Sequence, residues 1–125
     1  MRYNRHEAFR YEFEKPLTAL FQIVEIDDES VSSSKGEAEI INISPKGIKL
    51  NSKLNIPKTD DKSIYLAISF ELNDKPLNVE GVIVWKKTKG KSVDYGIDLH
   101  MDESAEKELI DQLKMYSKRA HHLEE

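Results

Sequence analysis

The chain has 125 residues, 38% hydrophobic and 34% charged, with a formal net charge of −4. At this size one hydrophobic core suffices, so a single domain over 1–125 is expected, and no apolar run approaches a membrane span. The acidic balance argues against a general nucleic-acid binder, and the absence of cysteine removes disulfides, thiol nucleophiles and thiolate metal sites together.

The opening stretch RYNRHEAFRYEF places Arg2, Arg5, His6 and Arg10 among aromatics that form no continuous core stripe. A solvated charge gains nothing from the planar guanidinium fork, so arginines without a lysine among them point to a flat or anionic partner. Counting Lys15 against Glu7, Glu12 and Glu14, residues 1–15 keep a local excess of one positive charge. A small anion can therefore be met locally despite the acidic total. The stretch has no apolar signal-peptide region, and cytoplasmic localisation is expected.

After Pro16, LTALFQIVEID reads as a long strand, and DDESVSSSKG reads as a loop. EAEIINIS and GIKLNS are strands joined by Ser44-Pro45-Lys46-Gly47, whose Ser, Pro and Gly fall at the first, second and fourth positions of a type I turn. Residues 53–62 are polar, carry Pro57 and suit a connection. SIYLAISFEL alternates Ile64, Leu66, Ile68, Phe70 and Leu72 over a full strand, and NDKP turns it. In LNVEGVIVWKK, period two puts Val79, Gly81, Ile83 and Trp85 on one face, with Trp85 in the core and Gly81 marking a bulge or bend. VDYGIDL is the sixth strand. From Asp102 onward, Leu109, Ile110, Leu113 and Tyr116 make a helical stripe, predicting one amphipathic helix over 102–120 with a frayed end at HHLEE. Six strands at roughly ten-residue spacing predict a small antiparallel barrel or sandwich, the helix covering one opening or edge.

Two pieces stand out together: the arginine-bearing run and NISPKG, residues 42–47, on a strand-turn-strand. An N-terminal arginine pair followed by (Asp/Asn)-x-Ser-x-x-Gly in a six-stranded barrel with a terminal helix resembles the PilZ domain family. The resemblance covers nearly the whole chain, with VIVWKK and YGIDL at the family's late strands. It implies a mainly β fold, a six-stranded antiparallel barrel over 16–100, a flexible ligand-binding run over 1–15 and a C-terminal helix. It also implies a ligand, the bacterial second messenger cyclic di-GMP, and a signal passed to a protein partner.

Carried onto this chain, the resemblance implies that Arg5, His6, Arg10, Asn42, Ser44 and Gly47 bind ligand, with Arg2 as a possible extra contact. Guanine O6 and N7 are adjacent acceptors that a guanidinium takes bidentately, and phosphate accepts the same fork. Asn42 and Ser44 reach polar edges of the ligand, and Gly47 lets the backbone pass close or turn sharply. His6 stands where the family has its second arginine, and a neutral imidazole donates one bond where arginine offers a fork. The substitution keeps a second reading open, a degenerate PilZ domain that binds no nucleotide and serves as a protein-interaction module.

Read singly, each piece is ordinary: the arginines as surface ion pairs with Glu7, Glu12 and Glu14, SPKG as a hairpin turn, Trp85 as core. Asp98, His100 and Asp102 alternate at a strand exit, but such groups are usually solvated, as are His121 and His122, and no metal or cofactor is expected. The sequence has no phosphate-cradling loop, nucleophile elbow or carboxylate pair in an apolar setting, so no enzyme is expected. Oligonucleotide binding is disfavoured by the charge and the few aromatics, and neither DNA, RNA nor membrane insertion is expected.

Overall fold

The computed structural model describes residues 10–124, with side-chain environments through Arg119. Its elements in chain order are β1 (Tyr11–Ile26), β2 (Glu29–Ser30), β3 (Gly36–Ile43), β4 (Gly47–Ser52), β5 (Ile64–Leu72), β6 (Lys75–Lys89), β7 (Ser92–Leu99) and α1 (Glu103–Glu124). The antiparallel strands run in the order β1-β3-β4-β7-β6-β5, and β5 pairs back onto β1. That pairing closes a six-stranded barrel and leaves the short β2 as an extra strand beside β1. Closure removes the unpaired edges that an open sheet of this size would present.

Alternation does what period two requires. Ile64, Leu66, Ile68, Phe70 and Leu72 are all buried, and Ile40, Ile43, Ile48, Leu50, Ile83, Tyr95 and Ile97 join them in one core. Asn73 and Asp74 connect β5 to β6 with φ of 53° and 63°, the left-handed pair that a two-residue hairpin uses. At the end of the barrel where β1 begins, α1 adds Leu109 and Leu113 to the core. Its position is fixed from several sides: Asn73 Nδ2 donates to Gln112 Oε1 at 2.8 Å, Lys75 pairs with Glu108, and Lys46 pairs with Glu106 at 3.2 Å. Asp102 caps the helix, its Oδ1 accepting from the Ala105 N–H at 2.8 Å.

Four expectations need correction. β1 starts at Tyr11, not after Pro16, so residues 11–15 belong to the barrel. The cause is tertiary: Phe13 is buried, and Tyr11, Phe13 and Tyr116 of α1 form an edge-to-face trio with centroids 4.9 to 6.0 Å apart. Pro16 falls where the β1–β3 register shifts, between Glu12 and Leu17, so its missing N–H interrupts no ladder. The loop after β1 contains the two-residue β2. The irregularity in β6 lies between Ile83 and Trp85 instead of at Gly81. Finally, α1 continues past Ala120 to Glu124.

Candidate functional site

The Ser44–Gly47 turn is built as its sequence predicts. Ser44 N–H donates to Gly47 O at 2.8 Å and Gly47 N–H to Ser44 O at 3.3 Å, closing the hairpin between β3 and β4. The Ser44 hydroxyl is buried and accepts from the N–H groups of Lys46 at 3.2 Å and Gly47 at 3.1 Å. Ser44 therefore organises the turn from within. Gly47 has no positive φ, so the turn's dihedrals do not demand glycine. The neighbouring strand does: a Cβ there would lie 2.9 Å from Ile97 O.

Arg10 meets this turn because of register. Tyr11 pairs with Ile43, and one further step along the same antiparallel ladder sets Arg10 beside Ser44. Its guanidinium donates from Nη1 to Asn42 Oδ1 and from Nη2 to Ser44 Oγ at 3.5 Å. Arg10, more than thirty residues away in sequence, thus joins Asn42, Ser44 and Gly47 in one cluster. A guanidinium has five N–H donors, so Arg10 retains several for a ligand. Arg2, Arg5 and His6 lie outside the described residues.

Across the outer sheet face a row continues from that cluster. Asn42 is opposite Lys49, Lys49 opposite Gly96, and Gly96 opposite Trp85. Trp85 is the residue that sequence reasoning misplaced. The bulge between Ile83 and Trp85 shifts the alternation by one, so Ile83 stays buried while Val84 and Trp85 emerge, Trp85 at 44% exposure. Its indole lies against the backbone of Gly96, where a Cβ would come 1.9 Å from Trp85 Nε1. The signal for this in sequence is Gly96 itself, a glycine inside an otherwise continuous strand, which marks close approach.

Together these residues line a groove of about 410 Å³ on the outside of the barrel, within the size range of ligand sites. Arg10, Lys46 and Lys49 bring positive charge, Asp98 a negative one, Trp85 and Val84 an apolar wall, and Gly47 and Gly96 a floor without side chains. Such a surface suits a flat, anionic molecule: aromatic stacking on the indole, charge-assisted bonds from the cations and close backbone approach at the glycines. Elsewhere, His100 is ringed against Tyr65 at 5.7 Å and Asp102 is engaged as the helix cap. Among the described residues no group of three His, Asp or Glu side chains is placed to hold a metal ion, and no helix is long and apolar enough to cross a membrane.

A closed six-stranded barrel with a C-terminal helix, and an arginine held against an Asn-x-Ser-x-x-Gly hairpin beside an open groove, defines a class of small β-barrel binding domains. Residues 4–115 match the PilZ domain, and the chain belongs to that family. PilZ domains form a family of cyclic di-GMP-binding effector domains, not of enzymes. No curated protein matches the chain.

Proposed function

We propose that this protein is a bacterial, cytoplasmic receptor that binds cyclic di-GMP in the groove between Arg10 and Trp85 and relays binding to a protein partner. The observation that carries the reading is the convergence of the Arg10 guanidinium on Asn42 and Ser44 across more than thirty residues of sequence. In this reading Arg10 takes guanine O6 and N7 or a phosphate bidentately, and the Asn42 amide meets a polar edge of the base. Lys46 and Lys49 face the phosphodiesters. Trp85 stacks a base, a contact worth about 1–3 kcal/mol. Gly47 keeps the floor low, Ser44 holds the turn, and Arg5, His6 and Arg2 complete the site from the preceding segment. No cofactor, metal or catalytic step is required.

The relay is a population shift: ligand binds one arrangement of the arginine segment better and so enriches it. Two connections support α1 as the element that responds. Arg10 is continuous with Tyr11, whose ring packs on Tyr116, and Lys46 of the turn is ion-paired to Glu106. A ligand that draws on Arg10 and Lys46 therefore acts on two of the contacts that seat the helix.

His6 favours the second reading, an interaction module without nucleotide. Isothermal titration with cyclic di-GMP, beside GTP and cyclic GMP at near-physiological salt, separates the two. Selective binding at micromolar affinity or tighter supports the receptor. No heat at high protein concentration overturns it, and a pull-down for protein partners then tests the module.

A further inference from the structure

We infer that Asp98 is a specificity-determining residue that reads the Watson–Crick edge of a guanine in the groove, an inference that rests on the cyclic di-GMP reading above. The register places it. On β4 and β7, Gly47 is opposite Asp98 and Lys49 is opposite Gly96, so these four outward positions form a checkerboard of two glycines and two opposite charges. Gly96 carries the Trp85 indole, and Asp98 is two residues further along the same face of β7, about 6.8 Å away. A base stacked on Trp85 and lying over Gly47 presents an edge to Asp98.

Chemistry decides which edge. Asp98 is exposed in the groove and, among the described residues, has no hydrogen-bond or ion-pair partner. Three acids elsewhere in the barrel and helix are engaged, Asp94 with Asn51, Glu106 with Lys46 and Asp102 with the helix cap, whereas Asp98 sits among the cations of the groove without pairing to them. A free carboxylate repels the phosphates that Arg10, Lys46 and Lys49 attract, so its presence opposes a purely electrostatic anion site. An ionised carboxylate only accepts hydrogen bonds. Guanine answers with N1–H and the 2-amino group, adjacent donors that match two carboxylate oxygens. Adenine places an acceptor and a C–H at the same positions. Asp98 therefore rewards guanine and penalises adenine, a selection that the cations cannot make because every cyclic dinucleotide carries the same phosphates.

The test is calorimetric titration of the wild type, Asp98→Asn and Lys49→Ala with cyclic di-GMP, cyclic di-AMP and cyclic di-inosine monophosphate, whose base lacks the 2-amino group. The wild type should prefer the guanine ligand to the inosine ligand by about tenfold. Asp98→Asn should weaken cyclic di-GMP by roughly ten- to a hundredfold, close the guanine–inosine gap and leave cyclic di-AMP unchanged or tighter. Lys49→Ala should weaken all three in parallel. Parallel weakening by Asp98→Asn, or an unchanged guanine–inosine ratio, overturns the role of Asp98 while leaving the receptor reading intact. A wild type that binds none of the three overturns the receptor reading, and the inference with it.

Discussion

At the end of the barrel away from α1, polar side chains are matched internally. The Tyr95 hydroxyl donates to Leu54 O at 2.7 Å and accepts from Ile56 N–H at 2.8 Å, tying the connection after β4 to the barrel. Asn51 donates to Asp94 at 2.8 Å, Lys89 lies 3.7 Å from the other Asp94 oxygen, and Ser52 bridges Glu37 O and the Leu54 N–H. At the groove the pattern differs: Arg10 bonds Asn42 and Ser44 yet stays exposed, and Lys49 and Asp98 have no partner among the described residues. Buried polar groups must be satisfied by the protein because water cannot reach them, whereas groove charges stay solvated until a ligand replaces the water. Far-end substitutions should therefore act on stability and groove substitutions on binding.

The sharpest way to break that division is Arg10→Ala. Ligand affinity should fall by about a hundredfold or more through lost charge-assisted bonds, with stability within about 0.5 kcal/mol of wild type, measured by titration and urea melts. A large stability loss would make Arg10 a structural residue. Tyr95→Phe is the mirror experiment. It strands the Ile56 N–H and the Leu54 carbonyl, so unfolding free energy should drop by about 2 kcal/mol while ligand affinity holds.

Tyr95 also sharpens the comparison through pH. Burial pushes its phenol above the ordinary value of 10.0, against the opposing pull of the Ile56 N–H. The folded state thus favours the protonated phenol, a contribution fully present below pH 10.0 and lost as pH rises through the elevated folded value. Chemical melts should show this loss in wild type and not in Tyr95→Phe. Gly96→Ala should cost binding about tenfold by driving the indole off the sheet, with a smaller stability effect. The smallest effect is that of Glu106→Ala: this exposed pair with Lys46 is worth at most about 1 kcal/mol, and its loss frees Lys46 for phosphate.

The sequence was most informative where local chemistry decides the conformation. Ser44, Pro45 and Gly47 specify their turn from within four residues, and the apolar alternation of β5 fixes its inward face. The residues around Arg10 were less legible because Tyr11 and Phe13 become strand only by packing on Tyr116, about a hundred positions away. Trp85 was misread for a different reason. Period two holds only while register holds, and a single bulge moves an indole from core to surface. The candidate site was accordingly half visible: the hairpin side from its motif, the stacking side only from tertiary structure.

Trp85 is also the one tryptophan in the chain, and it stands in the groove wall at 44% exposure. On the proposed reading its emission is a built-in gauge of occupancy. A base laid on the indole removes water from one face and quenches or shifts the signal, so filling of the groove can be followed in unlabelled protein on the timescale of mixing.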